Sequence, residues 1–206
     1  EGLTRELDYE LELAIIIGKS GKFFSDEQAV DHIAGYMVFN DITARDIQRR
    51  EMESGVFSFS KAIDTFCPIG PYIVTADEIA DPHQLAMELR VNGDVRQQGH
   101  TSQMRIPIPK LVAYHSPQGY AAGDVITTGT ISGVAAVQPN PFDFYLRPAT
   151  RSRQRSRASA RCETTWCRGV LLTTPSRTQP TCTRPAAARD MLTSLRSRSA
   201  VLPDGR

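Results

Sequence analysis

Cysteine is scarce in this chain and poorly placed for chemistry. Its four cysteines, Cys67, Cys162, Cys167 and Cys182, form no pair of C-x-x-C elements, which argues against a zinc site and gives no basis for a disulfide framework. No apolar run approaches the ~20 residues needed to span a bilayer. No secretory pattern opens the sequence given, so the reading expects a cytoplasmic protein with no membrane partner. H-E-x-x-H, G-x-S-x-G, Walker and dinucleotide fingerprints are all missing, which disfavours zinc hydrolases, serine hydrolases and nucleotide-dependent enzymes. The four histidines, His32, His83, His100 and His115, lack catalytic context and read as structural.

Lysine is also short, and its shortage exposes an asymmetry. Residues 1–150 hold four Lys within 12 basic and 20 acidic side chains, a net of −8. Residues 151–206 hold 12 Arg, no Lys and three acids, a net of +9 hidden inside an overall +1. From Pro148 onward Phe, Tyr and Ile vanish and no period of 2 or 3.6 persists. Such a composition is not expected to fold by itself. A basic arm of this kind could neutralise nucleic-acid phosphates, but the reading disfavours that role.

Among the residues present, three acids carry most of the chemistry. Glu10 and Glu12 lie two apart in LDYELELAIIIG, and two-residue spacing on a strand sends both side chains to one face. Like charges so close repel unless a proton or cation joins them, and a hard divalent ion resolves the conflict. An amphipathic edge strand would give the same E-x-E. Asp41 in FNDITARDIQ lies 29 residues beyond Glu12, a spacing that suits a strand–helix–strand return to the same place.

The pattern predicts a strand over Leu7–Gly18 and then a helix capped by Ser25, with Gln28 completing a capping box, running toward Gly35. A strand over Tyr36–Asn40 and a helix over Ile42–Glu53 follow. Strands are expected at Ile69–Thr75, Ala86–Asn92, Val95–Gln98 and Asp124–Thr130, with a hairpin turn at Asn92-Gly93 and a helix over Ile108–Ser116. Short strands with few helices indicate an α+β class.

NDITARDIQ, SKAIDTFCPIGPYIVTADEI, LRVNGDVRQQGHTSQM and GDVITTGTISGV, in this order after the acidic strand, resemble the fumarylacetoacetate hydrolase family over about Leu7–Pro148. The resemblance implies a mixed β-roll or partly open barrel with short flanking helices, and a homodimer. It implies a Mg²⁺, Mn²⁺ or Ca²⁺ ion held by Glu10, Glu12 and Asp41, with Thr65 close by. It also implies Lys61 as the cation that stabilises an enolate, and Arg45, Gln48 and Thr130 on the substrate side. Arg45 reads equally well as a structural partner of Asp46 or Asp41, and Gly129 and Gly133 as an anion-facing or an ordinary turn. The implied activity is C–C hydrolysis of an acylpyruvate- or fumarylacetoacetate-type diketo acid. The runner-up is an isomerase or decarboxylase using the same site. An inactive fragment or a basic-tailed nucleic-acid-binding protein is the reading from another class.

Relatives in that family carry an N-Y-x-x-H-x-x-E-type segment before the first acidic strand, which this sequence does not contain. The reading therefore expects residues 1–148 to be a catalytic domain incomplete at both ends. Residues 149–206 are expected to be a disordered tail in a shifted frame. Codons permitted for Pro148–Arg168 can be chosen so that a neighbouring frame reads GDEIEAEIEGLGALRNHVVSW, which is similar to the family's closing strands.

Overall fold

The computed structural model describes residues 3–147 except 57, and the backbone of 151–156, 159–167 and 170–175. In chain order the elements begin with β1 (Leu7–Asp8), β2 (Leu11–Ile17), α1 (Asp26–Ala29), β3 (Ile33–Asn40), β4 (Thr43–Ala44) and α2 (Arg45–Met52). They continue with β5 (Ile69–Thr75), β6 (Ala86–Val91), β7 (Asp94–His100), α3 (Ile108–His115) and β8 (Val125–Thr127). The last three strands are β9 (Arg151–Ser156), β10 (Ser159–Cys167) and β11 (Val170–Pro175). All the strand pairings are antiparallel. The class is α+β as expected. The sheets are open: β5-β3-β2-β8, β11-β10-β9-β6-β7 and the small pair β1-β4, with no closed barrel among the described residues.

β2 is the spine. Its LELAIII run is buried at every position, because β3 and β8 cover its two edges and other residues cover both faces. Leu11, Leu13, Ile15 and Ile17 join Leu89 and Val91 of β6 and Ile108 and Val112 of α3 in one hydrophobic cluster. That cluster makes the floor of the acidic site rigid, since interiors pack at crystal-like density.

Several expected boundaries moved, each for a local reason. The capping box at Ser25 and Gln28 forms, but the helix stops at Ala29 and β3 begins at Ile33. There Ile33 pairs with Ile17, and Gly35 lets the Val74 carbonyl approach to where a Cβ would stand 2.2 Å away. The first expected strand breaks at Tyr9-Glu10, where the Tyr9 amide donates to Asp8 and the Glu10 amide to the side chain of Asn40. The second helix starts at Arg45 because Thr43 and Ala44 pair with β1 instead. The Asn92-Gly93 turn forms with positive φ at both residues, as a type I′ hairpin requires.

Three stretches of the tail run as strands. β9 pairs with β6, and β10 joins β9 to β11. These ladders are closed by backbone N–H and C=O groups. By compactness the backbone separates into Glu1–Ser176 and Arg177–Arg206, and the second unit lies outside the described residues. No helix among the described residues is long and apolar enough to cross a membrane.

Candidate metal centre

Glu12 projects from β2, Glu10 from the break just before it, and Asp41 from the end of β3, whose neighbour in the ladder is β2. One oxygen from each of the three carboxylates lies within 4.8 Å of the others. The backbone holds them there: the Asp41 amide donates to the Glu10 carbonyl at 2.9 Å, and Asn40 accepts from the Glu10 amide at 2.8 Å. The sequence pairing of Glu10 and Glu12 on one strand face is therefore only half of the geometry. Glu10 leaves the strand and still reaches the cluster.

Lys61 enters from the loop after α2. Its ammonium donates to Glu10 Oε2 at 2.9 Å, Asp41 Oδ2 at 2.5 Å and Thr43 Oγ1 at 2.9 Å. Burial pulls its pKa down, but the bonds to Asp41 and Glu10 outweigh burial and leave it raised, so the charge is fixed. Burial, followed by the charge of Asp41, pushes the Glu12 carboxyl up to about 7. Burial raises Asp41 too, against the lowering effect of its Lys61 bond. Three convergent carboxylates, two of them buried, supply the all-oxygen donors that a hard divalent ion prefers. The residues fit a Mg²⁺, Mn²⁺ or Ca²⁺ ion.

Arg45 is bound to acids other than the two expected. Its guanidinium donates to Asp8 at 2.8 Å, to Glu10 at 2.5 Å and to Gln48 Oε1 at 2.9 Å. It is a buried brace for the acids, with Asp8 and Glu10 as partners in place of Asp46 or Asp41. Burial lowers its pKa, and Asp8 and Glu10 more than reverse that. Because Arg45 occupies the oxygen of Gln48, the amide nitrogen of this half-buried side chain is left to donate. Thr65 sits in the turn after Lys61 with a left-handed φ of 69°, as does Cys67 at 66°. That conformation is strained for a β-branched residue. The Thr130 hydroxyl is turned inward, donating to the Leu11 carbonyl at 3.0 Å and accepting from Gln97 at 2.9 Å. Gly129 gives its amide to Glu12 at 3.0 Å, so the anion this turn faces is a carboxylate of the protein itself.

Three residues that hold the site escaped the sequence reading. Asp8 is fully buried and accepts from Arg45 and from the amides of Tyr9, Ala135 and Ala136. Extending the period-2 acidic pattern one step back from Glu10 would have found it. Gln97 accepts from the Leu11 amide and donates to Thr130 and the Ile131 carbonyl, and Asn40 caps Glu10. Neither of these carried a signal. Of the histidines, His32 stacks on Phe24 at 4.2 Å, and His83 accepts from the first amide of α3. A cavity of about 380 Å³ opens between Thr128–Ser132 and the segment His100–Arg105, and none of the three carboxylates lines it.

The model of the fumarylacetoacetate (FAA) hydrolase C-terminal family matches residues 2–166. The chain is 49% identical over 135 residues to oxaloacetate tautomerase YisK of Bacillus subtilis, covering 65% of this chain and 44% of that protein. It is 44% identical over 139 residues to the human mitochondrial oxaloacetate tautomerase FAHD2A, covering 67% and 44%. The chain thus spans less than half the length of these curated relatives. Among solved structures, a fumarylpyruvate hydrolase from Pseudomonas aeruginosa in complex with Mn²⁺ and pyruvate superposes with a TM-score of 0.73 at 30% identity, covering 81% of this chain and 68% of that one. The matched family model, these identities and the shared fold lead to one conclusion: the chain belongs to the fumarylacetoacetate hydrolase family.

Proposed function

We propose that this chain carries the enolising half-site of an enzyme acting on a 2-oxo acid, and that its reaction is keto–enol tautomerisation of an oxaloacetate-type substrate. The observation that carries the reading is the Lys61 ammonium, held within 2.9 Å of Glu10 and 2.5 Å of Asp41 beside a third carboxylate. An ion bound at Glu10, Glu12 and Asp41 supplies Lewis-acid polarisation of the substrate carbonyl. Lys61 offers a preorganised cation where enolate charge develops, without reorganisation at the moment of reaction. Gln48 donates its amide N–H to a substrate oxygen, and Arg45 fixes which end of that amide faces outward. The similarity to two oxaloacetate tautomerases favours tautomerisation over bond cleavage.

A second reading, C–C hydrolysis of an acylpyruvate, is favoured by the likeness to the Mn²⁺- and pyruvate-bound fumarylpyruvate hydrolase. It shares the enolate and adds a water that must be activated. The test follows enol absorbance of oxaloacetate and of acetylpyruvate with Mn²⁺, with Mg²⁺ and after chelation. The expected result is metal-dependent acceleration with oxaloacetate that Lys61→Ala lowers about 10²-fold and Glu12→Ala abolishes. Cleavage of acetylpyruvate with no effect on oxaloacetate selects the second reading. Metal-independent rates equal to buffer with both acids refute the two together.

A further inference from the structure

Glu51 lies in the last turn of α2, and its carboxylate gathers three consecutive backbone amides. Ser58 and Phe59 donate to Oε1 at 3.2 and 2.7 Å, and Ser60 donates to Oε2 at 3.0 Å. Successive N–H groups turned onto one anion form a nest, an anion-binding concavity of the backbone. Beyond the nest, the Ala62 amide donates to the Ser58 and Phe59 carbonyls at 3.0 and 3.2 Å. Glu53 to Val56 and Ser58 to Phe59 are exposed, while Ser60 is buried and ties back through its carbonyl to the Ala44 amide at 3.0 Å. The next residue is Lys61, whose own amide closes a turn onto the Ser58 carbonyl at 3.1 Å.

Resting on the function proposed above, the geometry points to Glu51 as the positioning residue that sets the Lys61 ammonium among Glu10, Asp41 and Thr43. Arg45, Gln48 and Glu51 stand three apart along α2 and so follow one another along its surface. Arg45 grips Asp8 and Glu10 near the start of the helix, and Glu51 grips the lysine loop near its end. One short helix therefore sets the distance between the acids and the cation. Glu51→Gln keeps the shape but turns an amide N–H₂ toward one of the loop N–H groups, donor against donor. The loop then loses a tie, and the ammonium loses its fixed base.

The decisive measurement is the rate of reductive methylation at each lysine of the full chain, read by mass spectrometry in the wild type and in Glu51→Gln. The expected result is a severalfold faster reaction at Lys61, with Lys19, Lys22 and Lys110 unchanged. In turnover, kcat should fall about tenfold with KM changed much less, as for a group displaced by a fraction of an ångström. In a Lys61→Ala background the same substitution should add nothing. Glu51→Asp, which keeps the charge on a shorter stem, should fall between the two. An unchanged Lys61 rate, or a full loss of kcat from Glu51→Gln when Lys61 is already Ala, overturns the assignment. If the wild type turns over no 2-oxo acid, the proposed function fails while methylation still decides the role of Glu51. If Glu51→Gln does not fold, amide exchange of the wild type takes its place: protected Ser58–Ser60 amides support the nest, and exchange as fast as from an unstructured peptide refutes it.

Discussion

Under the function proposed above, removing the Lys61 ammonium probes the site more selectively than removing a carboxylate, because the acids would hold the ion whereas Lys61 would supply positive charge beside the developing enolate. Lys61→Met should lower turnover by about 10²-fold while the protein still binds Mn²⁺, which calorimetry alongside kinetics would show. Asp8→Asn is expected to act on stability instead. It leaves the buried Arg45 with a weakened partner, and breaking one side of a buried pair costs roughly 3–5 kcal/mol, measurable by urea unfolding. Glu12 sets a pH dependence whose sign is definite. Its folded pKa is raised to about 7, so the metal-free protein keeps that contribution to stability below the ordinary Glu range and loses it as pH rises through about 7. Divalent ions need the deprotonated form, so their affinity should rise across the same interval with release of a proton. Thermal melts in chelator and in Mn²⁺ at pH 5 and pH 8 should therefore shift in opposite directions (both pH values are about two units or less from that pKa). At this scale much was legible. Glu10, Glu12, Asp41 and Lys61 do converge, but Arg45 braces the acids and the Thr130 hydroxyl faces inward, because their partners Asp8 and Gln97 come from other elements.

Among the elements, β2 matters most, since it carries Glu12 and anchors both sheet neighbours. Ile15 is completely buried on it, and Ile15→Ala should destabilise by about 2–5 kcal/mol with no change in metal affinity of the folded fraction. The turn after β8 is the second sensitive element. Gly133 has a φ of +110°, and a Cβ there would stand 2.3 Å from the Arg96 carbonyl. Gly133→Ala should therefore strain this turn against β7 and destabilise the fold, which urea unfolding would show. Ser25 and Gln28, Asn92-Gly93 and the apolar run of β2 were readable because each is a local signal: a cap, a turn or a period. The early end of α1 and the late start of α2 were not, because pairing with β2 and β1 overrode helical pattern.

At the level of the whole molecule, the segment after Pro148 remains the most unusual part of the chain. Its Arg- and Ser-rich composition is foreign to the domain it follows, yet the family match extends to residue 166 and β9 extends the sheet of β6 and β7. The shifted-frame reading predicts that the gene encodes GDEIEAEIEGLGALRNHVVSW in the frame adjacent to Pro148–Arg168. Nucleotide sequencing would show this directly, and a gene without that adjacent peptide would rule it out.

The sequence by itself determined the α+β class, the family, and the identity of the acids and the lysine, since these depend on short motifs and on periods that any reader can count. Only the tertiary structure decided how they work together. Asp8 meets Arg45 across 37 positions, Gly129 meets Glu12 across 117, and Glu51 turns back onto the loop that carries Lys61. Such partnerships follow from which strands pair and which backbone amides need an acceptor, and no local pattern records either.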